Sequence, residues 1–304
     1  MEEKKSTYWE CLKEGEAALS SAGIEEASTD AWLLFEETFG MSRARYYMDR
    51  GLVCDDEKRK QYEQRIELRA KRIPLQHITG RAPFMGYEFF VNANVLIPRA
   101  DTEVLAEQAF LEMKRQFRIK ESSGAGLAPV QVLDMCTGSG CIAISLACMA
   151  REAGLACEIT AVDLSCGALA VAERNNRQLC GGCVQFIRSN LFDALPDTKK
   201  FDIIVSNPPY IRSGEIEKLM PEVRVHEPWM ALDGKEDGLY FYRKIVEDGR
   251  YFLKEKGAIL FEIGYDQGMQ VLRILECNGY EQGRITKDLA GLDRVAAAWK
   301  EEKQ

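Results

Sequence analysis

The chain reads as an α/β protein: a Rossmann-like domain on a mostly parallel sheet, preceded by a small helical domain and joined to it by a hairpin connector. Three observations predict this. From about residue 130 onward, short apolar runs alternate with amphipathic stretches, the pattern of a sheet covered by helices on both faces. The run Val132 to Ala147, "VLDMCTGSGCIAISLA", passes from strand to glycine turn to helix, as nucleotide-binding folds do at their first turn. Before residue 74 there is no proline, and apolar residues recur three or four apart, as in packed helices.

The helical domain is expected over residues 1–74, with apolar faces marked by Leu12, Ala17 and Leu19, then by Ala31, Leu33, Leu34 and Phe35. Its basic run of Lys58, Arg59, Lys60, Arg65, Arg69, Lys71 and Arg72 is mixed with Glu57, Glu63 and Glu67, so it reads as a solvated helix face. Over residues 75–100 the composition shifts to glycine, aromatics and alternation, which predicts the connector. The domain over residues 101–304 opens on a helix with Asp101 or Thr102 as N-cap and Glu103 in its first turn, where the helix dipole favours an acid. Glu121 to Pro129 reads as a loop. Strands are then expected at Val130 to Met135, Glu158 to Val162, Val184 to Ile187, Asp202 to Val205, Ala258 to Ile263 and Val295 to Trp299. Helices are expected at about Cys141 to Arg151, Gly167 to Leu179, Leu239 to Leu253 and Gln267 to Asn278.

Totals narrow the function classes. A chain of 304 residues with 46% apolar content supports one large and one small core. A formal net charge of −8 argues against coating a polyphosphate, because that affinity comes from lysine and arginine displacing counterions. The ten cysteines fall mostly in apolar or glycine-rich segments, as in a reducing cytosol, and Cys180-Gly-Gly-Cys183 reads as a turn with two incidental thiols. No second ligand pair completes a metal site. The N-terminus has no apolar signal core and no stretch has the length of a membrane span, so a cytoplasmic protein is expected.

The chemistry concentrates at two places. In the loop Cys136, Thr137, Gly138, Ser139, Gly140, glycines let a ligand approach the backbone, and Asp163 ends the next strand about 20 positions beyond, placed for ribose hydroxyls. Gly138-Ser-Gly140-Cys-Ile-Ala143 also satisfies a dinucleotide pattern. Asp134 shifts the balance, because a carboxylate there suits a cationic amino-acid group better than a pyrophosphate, which favours S-adenosylmethionine over NAD. The second place is "VSNPPYIR", Val205 to Arg212, where two prolines and an aromatic ring end an apolar strand. A planar NH2 group, its lone pair delocalised, is best methylated by a site that accepts both of its N–H groups and aims the nitrogen. The Asn207 side-chain oxygen and the Pro208 carbonyl supply acceptors, Tyr210 a flat face, and Pro208 and Pro209 the stiffness.

Together these residues resemble class I S-adenosylmethionine-dependent methyltransferases that act on planar nitrogens. "PLQHITG", "LIPRADTEVLAEQA", "LDMCTGSGCIAISLA", "AVDLS", "SNPPYI", "EPWMALDGKEDGLYFYRKI" and "DLAGLDRVAAAWK" resemble, in order, the PrmC/HemK family of release-factor glutamine methyltransferases. The resemblance implies methylation of the glutamine amide nitrogen in the Gly-Gly-Gln loop of class 1 peptide chain release factors. It implies cofactor contacts from Cys136 to Gly140, at Asp163, at Asn190 and Leu191 beside adenine, and at Asn207. Asn207, Pro208, Pro209 and Tyr210 would hold the glutamine, Phe89 and Phe90 would wall the pocket, and Arg99 and Glu103 would brace it. Cys136, Asn190, Leu191 and Ala100 stand where the family commonly has glycine, aspartate, an aromatic and proline. DNA adenine and ribosomal-RNA guanine methyltransferases share the tetrapeptide, but the acidic balance and the lack of a basic recognition region weigh against nucleic acid as partner. An inert binding module has little support, since Asn207 and Asp163 are both present.

Overall fold

The computed structural model describes residues 6–122 and 128–301, so most of the loop expected at Glu121 to Pro129 lies outside the described residues. Two compact units are present: Met1–Arg81 with Met220–His226, and Ala82–Leu219 with Glu227–Gln304.

The first unit is helical. It contains α1 (Tyr8–Ser21), α2 (Ala27–Phe39), α3 (Arg43–Asp49), α4 (Asp56–Ala70) and α5 (Leu75–Thr79). Thr7 and Glu10 start α1 as a capping box, each side chain taking the other's backbone N–H. Leu19, Leu34, Phe35 and Tyr62 are fully buried and form the centre of its core. The basic run on α4 is only partly a solvated face. Arg59 pairs with Glu63 at 2.6 Å in that manner, but Arg69 is buried, donating to Asp30 at 2.7 Å and to Glu222 of the helix Pro221–His226 at 3.0 Å. Burial opposes charge on Glu222, but its own backbone, Arg69 and Arg72 outweigh it and hold the carboxyl below the usual range.

The second unit begins with a hairpin, β1 (Arg81–Phe84) and β2 (Tyr87–Phe90), closed by Met85 and Gly86 at positive φ as a tight two-residue turn requires. Then follow α6 (Ala100–Ser122), β3 (Val130–Met135), α7 (Cys141–Glu152), β4 (Cys157–Asp163), α8 (Cys166–Cys180), β5 (Val184–Arg188) and β6 (Phe201–Ser206). After α9 (Ser213–Ile216), helix α10 (Pro221–His226) belongs by its contacts to the first unit. The chain returns through α11 (Trp229–Leu232), α12 (Tyr240–Phe252), β7 (Leu253–Glu262), α13 (Gly268–Cys277), β8 (Tyr280–Lys287) and β9 (Asp293–Lys300).

The seven strands lie in the order β5-β4-β3-β6-β7-β9-β8. The first five are parallel, and β9 pairs antiparallel with both β7 and β8. β6 is buried along its whole length, as a central parallel strand covered on both faces must be, and each large apolar side chain there stabilises the fold by about 1.5–3 kcal/mol. From β3 the chain winds outward to β4 and β5, then crosses back to β6 on the other side. The switch point of the sheet is therefore between β3 and β6, where ligands of such folds bind.

Three expectations are corrected. Helix α6 starts at Ala100, one residue before the expected caps, which puts Thr102 inside the first turn with its hydroxyl buried. β8 was not anticipated. Cys180 and Cys183 form a disulfide rather than two separate thiols: Gly181 and Gly182, both at positive φ, fold the chain back after α8 and bring the two Cα atoms to 5.9 Å. Among the described residues no cluster could hold a metal ion, and no helix is long and apolar enough to cross a membrane.

Candidate active site

Met135 and Ser206, the last residues of β3 and β6, are register partners, and the Ser206 hydroxyl donates to the Met135 carbonyl at 2.7 Å. That pairing sets the glycine loop after β3 beside the tetrapeptide after β6. Both open on one cavity at the carboxyl ends of the strands, with Asp163 at the end of β4. Its wall is mostly apolar, with Ile97, Pro98, Ile142, Pro228, Met230 and Phe241 contributing.

The loop needs its glycines for two different reasons. At Gly138 (φ 56) a Cβ would meet nothing within 4 Å, so the missing side chain leaves open room. At Gly140 (φ 79) a Cβ would come within 2.8 Å of the Ile144 side chain, so this glycine lets α7 start close against its neighbours. Cys136 also has positive φ (62), a position that costs a side chain roughly 1–2 kcal/mol. Its thiol is pushed far above the ordinary range by burial, then by Asp163 and Asp134, and so stays protonated and inert.

Asp163 accepts from the Gly138 and Ser165 backbone N–H groups, both at 2.9 Å. Burial raises its pKa and those donors oppose the rise, so the carboxyl is fixed at the cavity edge with further lone pairs to offer. Asp134 behaves otherwise than expected. It is fully buried and does not line the cavity; its Oδ2 accepts from the Thr137 hydroxyl at 2.6 Å and from the Ala143 N–H at 3.2 Å. It braces the loop from beneath instead of meeting a ligand's amino group. Burial pushes its pKa up to about 7, with Thr137 and Ala143 pulling the other way.

Cys136, Thr137, Gly138, Ser139, Asp163, Asn190, Leu191, Asn207 and Pro209 all line the cavity; Gly140, Pro208 and Tyr210 do not. Asn190 donates from Nδ2 to Asp193 at 3.0 Å, which fixes its amide, and Leu191 holds φ 50. Tyr210 turns its hydroxyl inward to Glu262 at 3.1 Å. Of the outer residues, Arg99 lines the cavity and pairs with Glu227 at 2.6 Å, whereas Glu103 accepts from the Met85 N–H at 2.6 Å, away from it. Phe89 is buried in the core against Phe84 and Phe90 lies under the Arg174 guanidinium, so neither walls the cavity.

Several residues that hold the site were missed. Gln267 donates from Nε2 to the Tyr210 carbonyl at 3.0 Å. Gly234 and Gly238 pack so tightly on the Tyr210 backbone that a Cβ would fall 2.7 Å from its Cα or 2.4 Å from its carbonyl oxygen. Asn175, fully buried, takes the Phe90 N–H at 2.8 Å and donates to the carbonyls of Phe90 and Ser139 at 3.0 Å, tying the hairpin to the glycine loop. The signal for the glycines was visible in "LDGKEDG"; for Gln267 and Asn175 no local pattern existed.

The residues present fit S-adenosylmethionine. Open space at Gly138 admits a ligand to the backbone, Asp163 offers acceptors for ribose hydroxyls, Leu191 and Ile142 give apolar faces for a purine, and Asn207 lines the same cavity.

The chain matches the PrmC N-terminal domain over residues 10–80 and the methyltransferase small domain over residues 125–227. It is 36% identical over 291 residues to the release factor glutamine methyltransferase of Clostridium botulinum, covering 95% of this chain and 98% of that one. It is 35% identical over 294 residues to the release factor glutamine methyltransferase of Bacillus subtilis, covering 96% and 97%. A solved structure from Alicyclobacillus acidocaldarius, described as a release factor-specific protein-(glutamine-N5) methyltransferase, is 30% identical, covers 70% of this chain and 100% of that chain, and has a TM-score of 0.38.

Proposed function

The chain belongs to the release factor glutamine methyltransferase family, and from that premise we propose that it moves a methyl group from S-adenosylmethionine to the side-chain amide nitrogen of the glutamine in the Gly-Gly-Gln loop of class 1 peptide chain release factors. The observation that supports the reading is the shared cavity: β3 and β6 pair in register up to Met135 and Ser206, and Gly138, Asp163 and Asn207 all line the one cavity beyond those strand ends.

When bound, S-adenosylmethionine supplies an electrophilic methyl carbon on a sulfonium centre. Asp163 accepts from the ribose hydroxyls, while Asn190 and Leu191 flank the adenine. Asn207 Oδ1 accepts one N–H of the glutamine amide; the other is assigned to the carbonyl that joins Pro208 to Pro209, which is reached from the cavity through its lining neighbours Asn207 and Pro209 and not through the Pro208 ring. With both N–H groups held, the nitrogen cannot rotate and its face is turned toward the methyl group. As the C–N bond forms, the bond from sulfur to the methyl carbon would break, the positive charge that develops on nitrogen and its N–H groups would meet acceptors already in place, and one N–H proton would then pass to solvent to leave the neutral N-methyl amide. Pro208 and Pro209 hold those acceptors still, and Tyr210, anchored by Glu262 and Gln267, fixes the end of the turn. Both enzyme and substrate are assigned to the cytoplasm, where translation terminates.

The test is mass spectrometry of release-factor peptides after incubation with this protein and S-adenosylmethionine. One added methyl on the Gly-Gly-Gln glutamine, abolished when that glutamine is replaced by alanine, is the expected result. Methyl transfer to DNA or ribosomal RNA, with none to release factor, overturns the reading.

A further inference from the structure

The walls of the cavity are almost free of charge. Among the described residues that line it, Asp163 is the one acid and Arg99 the one cation. Arg99 stands at the Asn207 end: its carbonyl accepts from the Thr102 N–H at 3.1 Å, and the Thr102 hydroxyl accepts from Asn207 Nδ2 at 3.3 Å. Arg99 Nη2 donates to Glu227 Oε1 at 2.6 Å; the Glu227 side chain is 1% exposed and that of Arg99 is 39% exposed. Glu227 thus anchors one corner of the guanidinium from behind. A carboxyl oxygen accepts from an N–H in either protonation state, so the anchor holds even though burial raises the Glu227 pKa. The Nε and Nη1 donors of Arg99 have no hydrogen-bond partner among the described residues.

S-adenosylmethionine is charged at one end only. Its adenine and ribose are neutral, and beyond the sulfonium a short carbon arm ends in an α-ammonium and an α-carboxylate. With the ribose at Asp163 and the methyl group at Asn207, that arm extends into the Asn207 end of the cavity. A carboxylate moved from water to a mostly apolar wall is costly unless it meets charge-assisted hydrogen bonds there. Asp163 repels it, and Arg99 is the lining side chain whose charge offsets it; the flat fork of guanidinium donors also matches the edge of a carboxylate. We propose that Arg99 binds the α-carboxylate of S-adenosylmethionine through the N–H groups that Glu227 leaves open, and so fixes the arm from which the sulfonium methyl group is aimed at the acceptor nitrogen. The inference rests on the reading of the cavity given above.

The test is calorimetry with two ligands that differ only in the carboxylate, S-adenosylmethionine and its decarboxylated form. Arg99→Gln removes the charge while its amide can still donate to Glu227. Its affinity for S-adenosylmethionine should fall ~10- to 100-fold, with affinity for the decarboxylated ligand held within about threefold or improved, because that ligand has lost its anion and kept its cations. Arg99→Lys, which keeps the charge and loses the fork, should lie between wild type and Arg99→Gln. If Arg99→Gln does not fold, Arg99→Met combined with Glu227→Met removes the pair together, leaves no buried acid unpaired, and should show the same dependence on the ligand. Equal losses for the two ligands, or wild-type affinity for S-adenosylmethionine, overturn the proposal; so does an effect confined to the KM for release factor, which would assign Arg99 to the protein substrate. A wild-type protein that binds neither ligand refutes the reading of the cavity and this one with it; a wild type that binds S-adenosylmethionine, with variants that lose both ligands alike, refutes only the role of Arg99.

Discussion

Removing the side chains of Asn207 and Asp163 should damage different steps. Asn207→Ala takes away one preorganised acceptor, so turnover is expected to drop ~100- to 1,000-fold while the affinity for S-adenosylmethionine changes far less; wild-type turnover would contradict the role. Asp163→Ala removes the proposed ribose acceptor and also releases the Gly138 N–H that it holds at 2.9 Å. Its expected effect is a loss of cofactor affinity of about 10- to 100-fold by calorimetry, and unchanged affinity would show that the ribose lies elsewhere. That both residues lie at the cavity was legible because Asp163 ends an apolar strand and Asn207 follows one, and strand ends are where such folds bind ligands. Thr102 and Glu262 were not. Thr102 read as a helix cap, Glu262 fell unremarked within the strand expected at Ala258 to Ile263, and the contact between Thr102 and Asn207 joins residues 105 positions apart. Phe89 and Phe90 show the opposite failure: their aromatic character was plain, but which side of a short strand faces the core is decided by packing.

At the scale of elements, the brace under the glycine loop ties its stability to pH. The Asp134 pKa is raised to about 7 in the folded protein, against ~3.9 when unfolded, so between these values the folded state binds more protons. The contribution of this group is present in full below the lower value and is lost as pH rises toward 7. In Asp134→Asn that loss is absent. The stability of the variant relative to wild type, from urea unfolding at a series of pH values, should therefore climb from about pH 4 to 7 by at most ~1.4 kcal/mol per unit and then level off. Parallel curves would show that Asp134 does not titrate in this window. The parallel strands were readable because burial on both faces makes them continuous apolar runs, as in Phe201–Ser206. β8 escaped because it is an edge strand in which only Tyr280 is buried, and neither alternation nor an apolar run announces it. The Cys180–Cys183 pairing was missed for a related reason: the spacing was noticed, but the fold-back depends on two successive glycines at positive φ.

Across the whole molecule, Arg69 shows how far a charge pattern can mislead. On α4 it belongs to a mixed run and reads as solvated, yet its partners Asp30 and Glu222 lie 39 and 153 positions away in sequence. Arg69→Met would leave two carboxylates with low exposure and no shared cation, and should destabilise the first unit by about 3–5 kcal/mol, visible as a lower unfolding midpoint. A midpoint within error of wild type would mean that the two acids find other partners. The same arrangement bears on synthesis. The ribosome finishes Arg69 long before Glu222 exists, and at ~5–20 residues per second the interval is roughly 8–30 s. For that time the nascent helices hold an incomplete cluster, and they reach their final stability only after β6 and the tetrapeptide that follows it have left the exit tunnel.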